Sequence, residues 1–323
     1  MMDDSKDIPL ITIGITCYNA QDSIGRAIKS AFAQDWGNLE VLVVDDCSSD
    51  GSVDAVRELI TGHGNARLVV HEVNAGPAGA RQTILREAKG NFIAFFDDDD
   101  ESLPERLKTQ YQRIVSYEAE SGVDLVACYA SGRRLYPNGY EMFMAAIGSG
   151  GRGPIGSELA DYQLFYGKKP GVFYGGGTPT CSLMARKEVF AAAGGFDPSL
   201  RRVEDVDFAI ALGLKGGHFI GCPEVLFIQY ASEGGDKSPE KNMEAEVALA
   251  EKYADYLRSV GRYEYARRWP LVRYYHFKGQ HAEMIKVLGA LFLKAPVKTA
   301  RHFFTTGPRR LLHEFKMKRE KRG

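Results

Sequence analysis

Five short apolar runs, Leu10–Cys17, Leu39–Val44, Arg67–Val70, Asn91–Phe96 and Asp124–Tyr129, alternate with stretches of helical spacing through the first part of the chain. Between the first two runs Ile24, Ala27, Ile28, Ala31 and Phe32 recur on one helical face. Between the next two, Asp50 stands as an N-cap before Val53, Val56, Leu59 and Ile60. Ala78–Lys89 and a helix from about Pro104, carrying Leu107, Tyr111, Ile114 and Val115, complete the series. Such alternation predicts an α/β fold: a mostly parallel sheet flanked by helices on both faces. In sheets of that kind ligands bind beyond the carboxyl ends of the strands. Thr16-Cys17-Tyr18-Asn19, Asp45-Asp46 and Asp97–Asp100 all fall on that edge.

The last of these is four consecutive aspartates, Asp97, Asp98, Asp99 and Asp100, dropped at the end of a buried strand. Carboxylates this close disfavour common ionisation unless positive charge sits among them. A hard divalent cation, Mg²⁺ or Mn²⁺, takes oxygen ligands and leaves positions for substrate phosphates. An acidic turn opening a helix is the competing explanation, since Asp100, Glu101 and Pro104 suit a first helical turn.

The formal net charge of −1 over 323 residues conceals an asymmetry. From Glu251 onward there are 18 Lys or Arg against 6 Asp or Glu, so the preceding part carries −13. The five cysteines are odd in number and form no CxxC pair, which argues for a reducing compartment and against zinc or a disulfide framework. Met1–Asp7 is acidic and polar, unlike a secretory signal. No apolar run approaches the ~20 residues of a membrane span. The expectation is a cytoplasmic protein, with any membrane contact peripheral on the cytoplasmic face.

Gly132–Gly177 is rich in Gly and Tyr and weakly periodic, which predicts loops and short strands of the kind that carry substrate contacts. Thr180–Ala185 reads as a strand, Lys187–Ala193 as a short helix ended by Gly194-Gly195, and Asp205–Leu214 as a helix. Strand-like His218–Gly221 and Val225–Tyr230 follow. A boundary near Glu233–Pro239, where Gly, Asp, Ser and Pro cluster, separates residues 1–235 from a helical extension, 236–323. The first domain divides into halves of about 8–130 and 131–235.

Six fragments now stand in order: Ile15-Thr16-Cys17-Tyr18-Asn19; Val43 to Gly51 with its Asp45-Asp46; Asn74-Ala75-Gly76-Pro77-Ala78-Gly79-Ala80-Arg81; Phe95 to Asp100 with Leu103-Pro104; Gly194-Gly195-Phe196-Asp197; and Glu204-Asp205-Val206-Asp207. In this order and spacing the chain resembles the family-2 inverting glycosyltransferases of the GT-A fold over residues 8–232. The resemblance implies a nucleotide-binding set of Thr16, Tyr18, Asn19, Asp46, Arg81, Asp97 and Asp98. In it Tyr18 stacks on the base, Asp46 accepts from the imide N–H of a uracil-like ring, and Arg81 balances nucleotide charge. It implies Asp97 and Asp99 as metal ligands, Asp205 as catalytic base, and Glu204, Gly176 and Thr180 in the acceptor and sugar region.

The implied activity is a metal-dependent, inverting transfer of a single sugar from a nucleotide-diphosphate donor, uridine-based by the Asp46 argument, to a glycan or lipid-linked glycan. Two departures accompany it. Gly14-Ile15 stands where the family has a Pro, and Gln82 where Asn is common after Arg81. Processive members carry Gln-x-x-Arg-Trp and membrane spans; here Tyr265 precedes Arg268-Trp269 in place of the Gln. A nucleotidyltransferase acting on a sugar phosphate is the rival enzyme, although Tyr18–Ser23 lacks its Gly-rich basic loop. A catalytically silent, membrane-associated nucleotide-sugar binder is the rival outside catalysis.

The tail mixes apolar Ile285–Leu293, aromatic and basic Arg301–Phe304 and Arg309–Phe315, and the run Lys316–Arg322. Residues 285–323 are read either as an anchor on an anionic membrane, at roughly 1 kcal/mol per basic residue near the lipid, or as a helical cap with a solvated face. With no recognised nucleic-acid module, no nucleic-acid partner is expected.

Overall fold

The computed structural model describes residues 8–231 and 238–319, with side chains to residue 308. The start of the chain, most of the expected boundary at 233–239 and the last basic residues lie outside the described part.

The five expected strands form where the runs placed them: β1 (Ile11–Cys17), β2 (Leu39–Asp45), β3 (Ala66–Val70), β4 (Phe92–Asp97) and, after the two-residue β5 (Glu101–Ser102), β6 (Val126–Leu135). The helices between them are α1 (Ile24–Phe32), α2 (Ser52–Ile60), α3 (Gly76–Glu87) and α4 (Arg106–Ser121). Asp50 accepts from the backbone N–H of Ser52 at 3.0 Å, but the N-cap position itself falls to Gly51, one residue later than expected. Strand order β3-β2-β1-β4 is parallel throughout.

Beyond β4 the sheet becomes mixed. After β7 (Glu141–Met144), the helix α5 (Ser157–Phe165) and a 3₁₀ turn at Thr180–Ser182, β8 (Leu183–Arg186) inserts antiparallel between β4 and β6. α6 (Lys187–Ala193) and α7 (Glu204–Leu214) lead to β9 (His218–Tyr230), which runs parallel to β6. The two expected strands at 218–230 are thus one, with pairing irregular opposite Ala130–Gly132. α5 is a helix that weak periodicity hid.

Alternation of side chains across the strands builds two cores. Ile11, Ile13, Ile15, Val41, Val43, Phe92 and Phe96 pack on one face with Ile24, Ile28, Leu107 and Ile114. Leu42, Val44, Ile93 and Phe95 pack on the other with Ile84, Phe190, Phe196 and Phe208. Each such large side chain, taken from water, stabilises by about 1.5–3 kcal/mol. Gly14 in β1 lies under Ile84 of α3: a Cβ there would meet Ile84 Cγ2 at 2.4 Å.

The described residues cluster into two compact units, one of 8–135, 142–160 and 169–230, the other of 136–141, 161–168, 231 and 238–319. The second holds α8 (Pro239–Lys252), α9 (Ala254–Ser259), α10 (Tyr263–Phe277), α11 (His281–Lys294) and α12 (Pro296–Arg319). Its interior is organised around His302, stacked between Trp269 (3.6 Å) and Tyr166 (4.4 Å) and bonded to the Tyr265 hydroxyl at 3.0 Å. Burial, with Lys298 and Arg273 nearby, pushes that imidazole down to about 3. Trp269 and Tyr265 therefore serve packing here.

Candidate active site

The three polar clusters meet at the carboxyl edge of the parallel strands. Thr16 of β1 is in register with Asp97 of β4 and Val44 of β2. Tyr18, just after the strand, is 52% exposed, an aromatic residue open to stacking on a planar ligand. Its N–H donates to Asp98 Oδ2 at 2.9 Å. Asn19 takes a left-handed φ of 48°, which Asn tolerates better than most residues, and its Oδ1 accepts from the Ser49 N–H at 2.8 Å. Asn19 thereby ties the β1 loop to the β2 loop.

Asp45 and Asp46 divide their labour. Asp45 is fully buried and accepts from the Ser48 N–H (2.9 Å) and hydroxyl (2.5 Å), so it caps its own loop. Asp46 Oδ1 accepts from the Ala75 N–H at 2.8 Å and Oδ2 from the Gly76 N–H at 2.7 Å. His71 Nδ1 lies 2.8 Å from the same Oδ1, and its Nε2 2.9 Å from Thr83 Oγ1. Asp46 is a clamp on the Asn74–Gly76 loop before it is anything else. In the sequence His71, like the other histidines, reads as a packing or surface residue; its one further signal is that it directly follows β3 on the ligand edge. Arg201 closes the same loop from outside, donating to Asn74 Oδ1 at 2.6 Å and Asn74 O at 3.1 Å. Gln82 accepts from the Phe196 N–H at 3.0 Å, a bond within the scaffold.

The acid quartet splits in three directions. Asp98 faces the Tyr18 backbone. Asp97, Asp100 and the Cys181 thiol bring ligand atoms within 4.8 Å of one another. Asp99 is half-buried, stands outside that trio, and its carbonyl accepts from Arg26 Nη2 at 2.5 Å. Burial, reinforced by the charges of Asp97 and Asp99, pushes Asp100 up to about 8 and Asp98 up to about 7. Asp100 Oδ1 is buried with no hydrogen-bond partner. Burial also raises the Cys181 thiol well above its ordinary range, which keeps it neutral and unsuited to a hard ion. The two carboxylates, one with an orphaned oxygen, are the donors that fit a divalent cation.

Part of the positive charge expected among these acids comes from the chain itself. Arg106, buried, donates to Phe95 O at 2.9 Å, Ser102 Oγ at 2.8 Å and Gln110 Oε1 at 3.0 Å beneath the quartet. Arg81, buried on α3, places Nη2 3.5 Å from Asp97 Oδ1 and Nη1 in a short contact with Glu204 Oε1. Glu204 and Arg81 are therefore bound to each other within the protein.

Asp205 follows Glu204 in the first turn of α7, and its Oδ1 accepts from the Val206 N–H at 2.8 Å. Burial, with Glu204 beside it, pushes its carboxyl up to about 6, while Arg81 opposes the rise. Val203, just before, holds a φ of 59°, a strained conformation for a β-branched residue. Gly176 donates its N–H to Ala145 O at 2.8 Å. Thr180, two percent exposed, has a buried hydroxyl without a hydrogen-bond partner.

The chain is 38% identical over 117 residues to the succinoglycan biosynthesis protein ExoO of Rhizobium meliloti (36% of this chain, 33% of that protein). It is 40% identical over 106 residues to WfgD of Escherichia coli, a UDP-Glc:α-D-GlcNAc-diphosphoundecaprenol β-1,3-glucosyltransferase (33% of this chain, 41% of that protein). The matches thus span only about a third to two fifths of these relatives' own length. Among solved structures, S. aureus TarS 1-349 in complex with UDP-GlcNAc aligns with a TM-score of 0.60 at 20% identity, covering 90% of this chain and 82% of that one. The Pyrobaculum calidifontis mannosyltransferase PcManGT in complex with GDP-Man and Mn²⁺ aligns with a TM-score of 0.55 at 19% identity, over 94% of this chain and 81% of that one. Those likenesses establish the GT-A fold. The family model for Glycosyl transferase family 2 matches residues 12–188, more than half of the chain, and the protein belongs to that family.

Proposed function

We propose that this protein is an inverting glycosyltransferase that moves one sugar per encounter from a nucleotide-diphosphate donor, uridine-based, to a glycan or lipid-linked glycan. The observation that carries the reading is the meeting, on one sheet edge, of an exposed aromatic, a carboxylate pair and a carboxyl held near neutrality. Tyr18 offers a stacking face for the base, and the loop clamped by Asp46 closes the other side. The Asp46 carboxylate keeps lone-pair capacity on Oδ2 for one further N–H, the feature a uracil ring presents.

Asp97 and Asp100 would hold a divalent cation, with Asp99 the alternative ligand that the family resemblance implies. Such an ion neutralises charge as it develops on the departing nucleoside diphosphate. The work left to the chain is positioning and proton removal. Asp205, with its carboxyl near 6, is ionised at neutral pH yet basic enough to take the acceptor hydroxyl's proton as that oxygen attacks the anomeric carbon from the far face. Gly176 and Thr180 line the expected sugar side, where the unpartnered Thr180 hydroxyl is available to bond.

The acceptor named for WfgD is lipid-linked, and the second unit has features suited to a membrane surface. No helix among the described residues is long and apolar enough to cross a membrane. Yet Leu293 (90%), Val297 (81%), Phe304 (69%) and Ile285 (63%) are exposed on α11 and α12. Lys294 and Arg301 are exposed beside them. Apolar side chains interleaved with cations are the composition of a helix lying in an anionic headgroup layer. We read the protein as peripheral on the cytoplasmic face.

The reading is tested by incubating the protein with a panel of nucleotide sugars, with and without Mn²⁺ or Mg²⁺, and measuring nucleoside diphosphate release. Release from a uridine donor that EDTA abolishes and Mn²⁺ restores is the expected result. Pyrophosphate release from a nucleoside triphosphate would instead identify a nucleotidyltransferase.

A further inference from the structure

Sequence resemblance gives Arg81 to the nucleotide and Glu204 to the sugar, but in the fold neither is free for a substrate. Arg81 is 7% exposed and Glu204 8%. The guanidinium spends one nitrogen on Glu204 Oε1 and turns another toward Asp97 Oδ1 at 3.5 Å, over the face of Phe196 at 5.8 Å. Three elements that share no local sequence are joined by this one side chain: α3, the end of β4, and the first residue of α7. The residue after Glu204 is Asp205, and the one before it is held left-handed.

We propose that Arg81 and Glu204 are positioning residues for Asp205, a buried ion pair that pins the first turn of α7 to the metal-acid strand and so fixes where the base faces the acceptor. This rests on Asp205 being the base. An aspartate on a helix's first turn follows the tilt of that turn, and a misplacement of about 1 Å at a reacting group costs up to ~10²-fold in rate. Arg suits the task because its fork holds two carboxylates in a fixed relation, which Lys does not reproduce.

The pair also acts on Asp205 through charge, and its two members pull in opposite directions. Glu204 disfavours ionisation of its neighbour, and Arg81 favours it. The other ionisable groups near Asp205 are Asp207 on its own helix, Asp97 of β4 behind Arg81, and the phenol of Tyr129 on β6, which senses the Asp205 charge.

The experiment is a set of pH–rate profiles for the full chain with a uridine donor, comparing wild type with Arg81→Gln, Arg81→Lys, Glu204→Gln and Asp205→Asn, beside thermal melts and UDP titrations. The expected result is that the acid limb of kcat/KM moves up by about one pH unit in Arg81→Gln and down in Glu204→Gln. In both variants kcat falls roughly tenfold to a hundredfold while UDP affinity stays within about twofold. Arg81→Lys falls between wild type and Arg81→Gln. Limbs that stay put or move the same way overturn the inference. A loss of UDP affinity with kcat intact overturns it too, returning Arg81 to the nucleotide. Should Arg81→Gln fail to fold, the near-isosteric Glu204→Gln decides alone: a downward limb supports the inference, an unmoved one sinks it. Near-normal turnover in Asp205→Asn would instead remove the base assignment itself; an inactive Asp205→Asn beside unmoved limbs removes only the present inference.

Discussion

At Asp205 the carboxyl titrates near 6 instead of 3.8 because burial and the Glu204 charge disfavour its ionised form. Between those values the folded chain holds a proton that the unfolded chain has released. Stability from this group therefore falls as pH rises through the window and stays lower above it. Asp205→Asn is expected to melt higher than wild type at pH 7.5, by up to about 3 kcal/mol, with no gain at pH 4. Its turnover should drop by about 10²–10⁴-fold, the usual contribution of a general base. Differential scanning fluorimetry at the two pH values, run beside the donor assay, checks both halves. Asp46→Asn should behave in the contrary sense. An amide there turns a donor toward the Ala75 and Gly76 N–H groups, costing about 1–3 kcal/mol and loosening the loop. UDP titration should register weaker binding with kcat less affected. The fragments that carry Tyr18 and Asp205 were legible because they form recurring strings. That Asp100 and not Asp99 clusters with Asp97 was not, since which acid of a tight turn faces inward depends on backbone dihedrals that the residue types leave open. His71 was illegible because a lone histidine after a strand carries no pattern.

At the scale of elements, the parallel run β3-β2-β1-β4 could be read from the sequence because each strand is a short, mainly apolar run bounded by turn residues. β8 could be located but not its direction: four residues, Leu183–Arg186, fix neither a partner nor a sense of pairing. In the fold it pairs antiparallel with both β4 and β6, and Gln110 ties β6 to the turn before it, donating to Cys128 O at 2.9 Å and Ser182 O at 3.0 Å. α5 escaped because its apolar residues, Leu159, Ala160, Leu164 and Phe165, share the helix with Glu158, Asp161 and Tyr162, which blur its face. The departure at Gly14 has a plain reason in the contact with Ile84. Gly14→Ala is expected to cost about 1–3 kcal/mol by overpacking. The double variant with Ile84→Ala should lose less than the sum of the two single changes, a coupling that urea melts would show.

For the molecule as a whole, the described residues put an acidic ligand edge in one unit and exposed cations such as Lys294 and Arg301 on the helices of the other. The full chain should float with vesicles containing phosphatidylglycerol and not with phosphatidylcholine alone, and raised salt should weaken the attachment within a Debye length of about 8 Å. Leu293→Asp with Val297→Asp should abolish flotation without lowering the melting temperature, because both side chains are exposed. Flotation unaffected by that pair removes the membrane reading. The late arrival of β8 has a further consequence during synthesis. β4 ends at Asp97 and its neighbour on that side ends at Arg186, so the ribosome must add 89 residues between them. At 5–20 residues per second the phenylalanine-rich margin of β4 stands unpaired for roughly 5–20 s, long enough for other nascent chains to find it. Expression yield should accordingly depend on chaperone supply more than the finished protein's stability would indicate.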